Sequence, residues 1–148
     1  MRAIIQRVTE ARVIIDNKVA GEIGQGFLIF LGVGAEDTES ETDLLWRKIS
    51  RMRIFADYTG KTNLDLNTVG GNLLIISQFT LYADCKKGNR PSFTKAASPE
   101  LGKALYEYFL DLAKKEFPDV QSGEFGADMS VSLVNDGPFT ILLDTAEL

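Results

Sequence analysis

The segment Phe27–Val33 reads FLIFLGV and is the longest apolar run in the sequence. It has the length of a strand and is too short to cross a bilayer as a helix. Its apolar residues do not alternate with polar ones, so the segment predicts a strand that is buried on both faces. A strand of that kind lies inside a sheet that is covered on each side.

Strand-like segments lie on both sides of this run. Upstream, the apolar patterns predict strands at Met1–Val8, Ala11–Asp16 and Val19–Ile23. Downstream, they predict strands at Asn72–Tyr82, Val120–Glu124, Met129–Val134 and Phe139–Leu143. Strands and helices do not alternate regularly, which favours an α+β fold with a mostly antiparallel, β-barrel-like sheet.

Two main helices are predicted from their capping residues. Thr38, three residues before Glu41, matches a capping box for a helix that begins in an acidic stretch. Ser98 followed by Pro99 matches the N-cap and first position of a second helix, which ends before Phe117-Pro118. The turn-rich segment 57–71 is predicted to form a hairpin. No repeat or linker interrupts the chain, so we expect one domain over residues 1–148.

The composition excludes several kinds of chemistry. Histidine is absent and Cys85 is the only cysteine. A histidine general base, a Ser-His-Asp or Cys-His relay and an internal disulfide are therefore impossible. The glycines do not have the spacing of a phosphate-binding loop, and no metal-binding motif is present, so we expect neither a cofactor nor a metal. No signal or membrane segment is recognisable, and the expected location is the cytoplasm.

The net charge of −5 argues against tight, non-specific binding to nucleic acids such as DNA. The segment 84–95 is a local exception, because Lys86, Lys87, Arg90 and Lys95 accompany a single acid there. A solvated surface and a phosphate-binding patch both agree with this pattern.

Ser77-Gln78-Phe79-Thr80 interrupts an otherwise apolar strand with polar residues. Cross-strand hydrogen bonds are one explanation, since a buried polar group without a partner costs about 1–3 kcal/mol. The other is that the strand breaks its ladder here and turns free backbone N–H groups towards a ligand oxygen. Thr80 is a weak candidate nucleophile, because no histidine or nearby lysine could activate it.

The segment Asn135–Thr140, NDGPFT, places a Gly-Pro pair between two predicted strands. An ordinary turn explains this pair. A cis proline with a purpose in a tight turn is the alternative, and the spacing does not choose between the isomers.

The motifs SQFTLYA at 77–83 and NDGPFT at 135–140 make the chain resemble the D-aminoacyl-tRNA deacylase family. The resemblance covers essentially the whole length, including the opening MRAIIQRVTEARV and the GNRPSF loop. One position departs from the family pattern, which usually reads Asn-x-Gly-Pro-Val-Thr: Phe139 stands in place of valine.

The resemblance implies a homodimer that hydrolyses the ester between a D-amino acid and the 3′ end of tRNA. It assigns the catalytic site to Ser77, Gln78, Phe79 and Thr80, with the amides of Phe79 and Thr80 receiving the ester carbonyl. The substrate's own 2′-OH would assist the attacking water. A cis Gly137-Pro138 pair would reach into the other subunit's site, where it rejects L-amino acids and lets achiral glycine pass.

Further residues take roles by the same resemblance. Arg7 would orient the Gly-Pro motif, and Phe125 and Met129 would bind the terminal adenine, although core packing explains these two equally well. Lys86, Lys87 and Arg90 would contact tRNA phosphates. Two rival hypotheses remain at this point. One is an RNA- or protein-binding dimer without activity, and the other is a general esterase or peptidase with Thr80 as nucleophile.

Overall fold

A computed structural model describes all of residues 1–148, which form eight strands and two α-helices. The strands are β1 (Arg2–Ile15), β2 (Lys18–Ile23), β3 (Gly26–Gly32), β4 (Arg53–Ala56), β5 (Thr62–Asp65), β6 (Asn72–Ser77), β7 (Gln121–Ser122) and β8 (Ser130–Asp144). The helices are α1 (Glu39–Ser50) and α2 (Pro99–Glu116), and 3-10 turns occupy Phe79–Tyr82 and Thr145–Glu147. The predicted α+β class with two main helices is confirmed.

The main sheet is mixed rather than mostly antiparallel. Its strand order is β2-β1-β3-β6-β7, and β8 pairs with the other edge of β1. β1 is antiparallel to β2, β3 and β8, but β6 is parallel to both β3 and β7. Parallel pairing needs a long crossover, which α1 and the separate β4–β5 hairpin supply between β3 and β6.

The sheet curls until it is nearly a closed barrel. A Cβ atom at Gly21 of β2 would lie 3.2 Å from Cβ of Gln121 on β7, so glycine lets these two strands come close. β3 is buried on both faces, as its sequence predicts. Phe27 and Ile29 pack towards the helices, whereas Leu28 packs with Leu74 of β6 inside the curled sheet.

Four strand predictions need correction. Met1–Val8 and Ala11–Asp16 are one strand, β1, because Glu10 still pairs with Val134 of β8. Met129–Val134 and Phe139–Leu143 are likewise one strand, β8. Asn72–Tyr82 ends as a strand at Ser77, and only two residues of Val120–Glu124 pair in the sheet.

The helix ends follow the predicted caps. The Thr38 side chain accepts a hydrogen bond from the Ser40 amide, and the Thr38 amide donates to the Glu41 carboxylate at 2.8 Å. Ser98 Oγ accepts from the Leu101 amide at the start of α2. Neither helix has the length and apolar character that a membrane crossing requires.

Candidate active site

The strand that carries Ser77 leaves the sheet where the sequence becomes polar. The Gln78 amide makes a last bond to Leu31 O at 2.7 Å, and the chain then turns into the 3-10 turn Phe79–Tyr82. Gly32 permits this turn, because a Cβ atom there would lie 3.0 Å from Gln78 O. The ladder therefore breaks after Ser77, and the use of the following amides for a ligand oxygen stays a prediction.

The first amides of this turn lie beyond the last ladder bond, which the Gln78 amide makes. Amides at the start of a helix have no acceptor within it. In this turn they belong to Phe79 and Thr80, since the Leu81 amide already donates to Gln78 O at 3.2 Å. Two adjacent backbone donors of this kind can stabilise an oxygen that gains negative charge.

Thr80 lacks an activating base. Its Oγ1 accepts a hydrogen bond from Nε2 of Gln78, an amide nitrogen that has no lone pair to take a proton. The chain also contains no histidine. A hydroxyl in this setting is a poor nucleophile.

A pocket of about 600 Å³ lies beside the turn. Ser77, Gln78 and Phe79 border it, and so do Phe125 and Met129. Five of the predicted site residues therefore meet at one cavity. Phe79 is 56% exposed, and its ring meets the Phe93 ring edge-on, with 5.1 Å between the ring centroids.

Two glycines shape this pocket, and the sequence analysis did not select them. A Cβ atom at Gly102 of α2 would lie 3.2 Å from Cζ of Phe125, and one at Gly123 would lie 2.4 Å from Sδ of Met129. The absence of a side chain at each glycine thus leaves room for its apolar neighbour. A glycine inside a helix-forming pattern was the available signal for Gly102.

Tyr106 supports the pocket from behind. Its hydroxyl donates to Ile75 O at 2.9 Å, and its ring lies 6.0 Å from the Phe125 ring. Burial raises the pKa of Tyr106 to about 12, so the phenol remains a hydrogen-bond donor well above the pH at which a free tyrosine ionises. This hydrogen bond joins α2 to the strand that leads to Ser77.

Arg2 holds the far side of the 3-10 turn. Its guanidinium donates to Leu81 O at 3.0 Å and to the Asp144 carboxylate at 2.8 Å, and it lies over the Tyr82 ring at 4.6 Å. Burial and then the nearby Asp37 carboxylate raise the pKa of the Tyr82 phenol. The turn is therefore anchored to one end of the sheet's longest strand pair, where Arg2 of β1 stands opposite Asp144 of β8.

The Gly-Pro motif forms a bulge opposite Arg7. Gln6 pairs with Thr140 and Val8 pairs with Asn135, so residues 136–139 stand opposite a single residue of β1. Arg7 Nε donates to Asp136 O at 3.1 Å, and the Gly137-Pro138 peptide bond is cis. Arg7, Gly137 and Pro138 do not line the pocket of their own chain.

The segment 84–95 is an exposed loop beside the pocket. Lys86, Lys87 and Arg90 are exposed, whereas Phe93 of the same loop lines the pocket wall. The backbone amide of Lys86 and the nearby Lys95 ammonium hold the pKa of Asp84 below its usual value. The loop therefore presents positive charge next to an apolar cavity.

Comparison with known proteins agrees with this geometry. The family model described as D-Tyr-tRNA(Tyr) deacylase matches residues 4–144. A D-aminoacyl-tRNA deacylase of Lacticaseibacillus casei is 57% identical and covers 98% of each chain. One of Thermotoga petrophila is 53% identical over 100% of this chain and 99% of its own.

A solved structure described as "c-Myc DNA Unwinding Element Binding Protein" has a TM-score of 0.92 and 37% identity, and the match covers 97% of this chain and 98% of that one. These relatives define a class of ester hydrolases. The chain belongs to the D-aminoacyl-tRNA deacylase family.

Proposed function

We propose that this protein hydrolyses the ester bond of D-aminoacyl-tRNA and releases the D-amino acid and the tRNA. The observation that carries the proposal is the pair of amides at Phe79 and Thr80, which open a 3-10 turn beside a pocket with mostly apolar walls. Membership of the family supplies the substrate class. The protein would act in the cytoplasm, where charged tRNA is found.

The reaction needs orientation and charge stabilisation more than an activated side chain. The ester carbonyl oxygen accepts hydrogen bonds from the Phe79 and Thr80 amides, which stabilise the oxyanion once water has added to the carbonyl carbon. The 2′-OH of the terminal ribose assists that water, because the protein offers no histidine base. Collapse of the intermediate breaks the ester, and the ribose 3′-oxygen leaves with a proton. Ser77 and Gln78 hold the turn in place.

The apolar wall fits the terminal adenine. Phe125 and Met129 border the cavity beside the turn, so a flat base bound there would place its ribose near the amides. Stacking on an aromatic side chain contributes about 1–3 kcal/mol of binding free energy per base, whichever base it is.

Chiral selection is assigned to Gly137 and Pro138 of a second subunit, and two observations favour such a homodimer. β8 pairs only with β1, so its other edge is free along a long strand, and Leu142 on it is 65% exposed. Free strand edges and exposed apolar side chains are typical of surfaces that pair with another chain. In the partner's pocket, the backbone of the Gly-Pro pair would collide with an L side chain but would accept a D side chain or glycine.

Contacts to tRNA phosphates are assigned to Lys86, Lys87 and Arg90. Their loop shares Phe93 with the pocket, so the acceptor end would pass across it. The solved structure described as a DNA-unwinding-element binding protein raises DNA as a rival ligand. Membership of a family of tRNA deacylases disfavours that alternative.

The test is deacylation of matched D- and L-tyrosyl-tRNA by purified, EDTA-treated protein. We expect rapid loss of the D ester while the L ester survives. Cleavage of both esters would refute the chiral filter. Cleavage of neither would favour a binding protein without activity. Competition between tRNA and a duplex DNA of equal length would then show which nucleic acid the protein binds.

Thr80→Val tests the mechanism. The backbone amides remain in this variant, so we expect activity within about tenfold of the parent. A loss above about a hundredfold with unchanged tRNA binding would instead identify Thr80 as the nucleophile.

A further inference from the structure

We infer that Phe139 is a positioning residue for the chiral filter. Its ring holds the Arg7 guanidinium, which in turn fixes the backbone at Gly137, and so it sets how strictly L-amino acids are excluded. This inference rests on the proposed function of the Gly-Pro motif. The contacts themselves can be tested separately.

Polar contacts hold only two of the three nitrogen atoms of the Arg7 guanidinium, Nε and Nη1. Nε donates to Asp136 O and also lies 3.1 Å from the Asp136 carboxylate, and one terminal nitrogen donates to Ile54 O of β4 at 2.5 Å. The Arg7 side chain is only 14% exposed, so little water reaches it. The flat faces of the guanidinium carry no hydrogen bonds and need a different kind of contact.

Phe139 supplies that contact. The Arg7 guanidinium carbon lies 4.9 Å from the centre of the Phe139 ring and 6.0 Å from that of Phe55. Phe55 is itself fixed, since it is buried and stacks on Phe27 with the ring planes 11° apart. An arginine face over an aromatic ring at these distances is a cation–π contact, which strengthens when water is excluded.

Arg7 connects the Phe139 ring to the Gly-Pro motif. The terminal nitrogen Nη2 of Arg7 lies 3.0 Å from the place that a Cβ atom of Gly137 would occupy, so the guanidinium packs against the Gly137 backbone. On the other side, the Phe139 amide donates to Asn135 Oδ1 at 2.6 Å. Gly137 and Pro138 thus lie between a fixed amide at Phe139 and a guanidinium held by the Phe139 ring.

A loosened bulge should affect the two enantiomers differently. A D substrate does not press on the Gly-Pro backbone, whereas rejection of an L substrate requires that backbone to stay in place. In this chain the guanidinium is packed on Phe139 where the family usually has valine, so loss of this ring uncovers the guanidinium, and the bulge can move and the L side chain can enter. We therefore expect Phe139→Leu, which keeps an apolar side chain but removes the aromatic face, to raise kcat/KM for L-tyrosyl-tRNA about tenfold. The value for D-tyrosyl-tRNA should change less than about twofold.

The matched control is Phe117→Leu, the same change at another partly buried phenylalanine, which caps α2 and packs on Trp46. It should leave the ratio of D to L activity unchanged. The same ratio of D to L activity in the parent and in Phe139→Leu would overturn the inference. An equal fall of this ratio in Phe139→Leu and Phe117→Leu would also overturn it.

A second measurement does not depend on activity. In the parent, the Arg7 Nε–H proton resonance should be sharp and displaced by the Phe139 ring, and in Phe139→Leu it should shift and broaden. An unchanged resonance would overturn the inference. A parent protein that shows the displaced resonance but leaves D-tyrosyl-tRNA intact would contradict the proposed function alone.

Discussion

Gly102→Ala should separate the stability of this protein from its affinity for substrate. The substitution adds one methyl group to α2, and alanine stabilises a helix interior by about 1 kcal/mol relative to glycine. The new Cβ would lie 3.2 Å from Cζ of Phe125, so the ring must move by a few tenths of an ångström. Phe125 borders the open pocket and has space to move into.

The two effects nearly cancel in the free energy of unfolding. The displaced Phe125 ring loses part of its contact with Tyr106, and such aromatic pairs contribute about 0.5–1.5 kcal/mol. We expect the free energy of unfolding to stay within about 1 kcal/mol of the parent. The narrowed pocket should cost about 1 kcal/mol in binding, so that KM for aminoacyl-tRNA rises about fivefold. The kcat should stay unchanged, because the substitution does not alter the amides of Phe79 and Thr80.

The assay combines urea unfolding, followed by fluorescence of the single tryptophan Trp46, with steady-state deacylation. Ala104→Gly is the matched control, since it makes the reverse change at an exposed position of the same helix and should lose about 1 kcal/mol with KM unchanged. A loss above about 2 kcal/mol in Gly102→Ala would show that the ring cannot move. An unchanged KM would show that Phe125 does not bound the substrate, and either result would refute the reasoning.

Three further predictions concern separate parts of the protein. Reversal of Lys86, Lys87 and Arg90 to glutamate should weaken tRNA binding and reduce the salt slope of log Kd by about 2, whereas Lys114→Glu with Lys115→Glu should not. Tyr106→Phe should lower the free energy of unfolding, measured by urea titration, by about 1 kcal/mol. The loss is small because Ile75 O still accepts a hydrogen bond from the Gly123 amide. The difference between parent and variant should persist up to pH 10 and decline as pH rises towards the folded pKa of about 12. Hydrogen bonds from the Thr38 hydroxyl and amide lower the pKa of Glu41. Glu41→Ala should therefore lower the free energy of unfolding at pH 7, and this loss should vanish as pH falls through the lowered folded pKa. Unfolding of both proteins at pH 7 and pH 3 tests this.

Local signals predicted the elements whose causes are local. Both helix starts follow from Thr38 and Ser98, whose side chains satisfy amides only two or three residues away. The double burial of β3 follows from its unbroken apolar composition. The break after Ser77 was one of two alternatives, because a polar segment in a strand can either pair or leave the sheet.

The errors arose where distant partners decide the structure. Thr9 and Glu10 are polar and interrupt the apolar pattern, so two strands were predicted, yet β8 pairs with β1 on both sides of Thr9 and keeps it one strand. The unbroken apolar runs of β3 and β6 are typical of parallel strands but also of any strand that is buried on both faces, so they did not reveal the parallel pairing. Gly102 and Gly123 escaped notice for the same reason, since each matters only through a side chain that the fold brings against it.

The pairing of β1 with β8 has a consequence for how the chain folds during synthesis. The longest partner of β1 is β8, which lies more than 100 residues later in the chain, so one edge of β1 stays open until residues through Asp144 have emerged. Pairings between distant segments form slowly, and open strand edges expose a nascent chain to aggregation. The α1 helix and the β4–β5 hairpin can form early from nearby residues. The barrel, and with it the bulge at Gly137, is completed last.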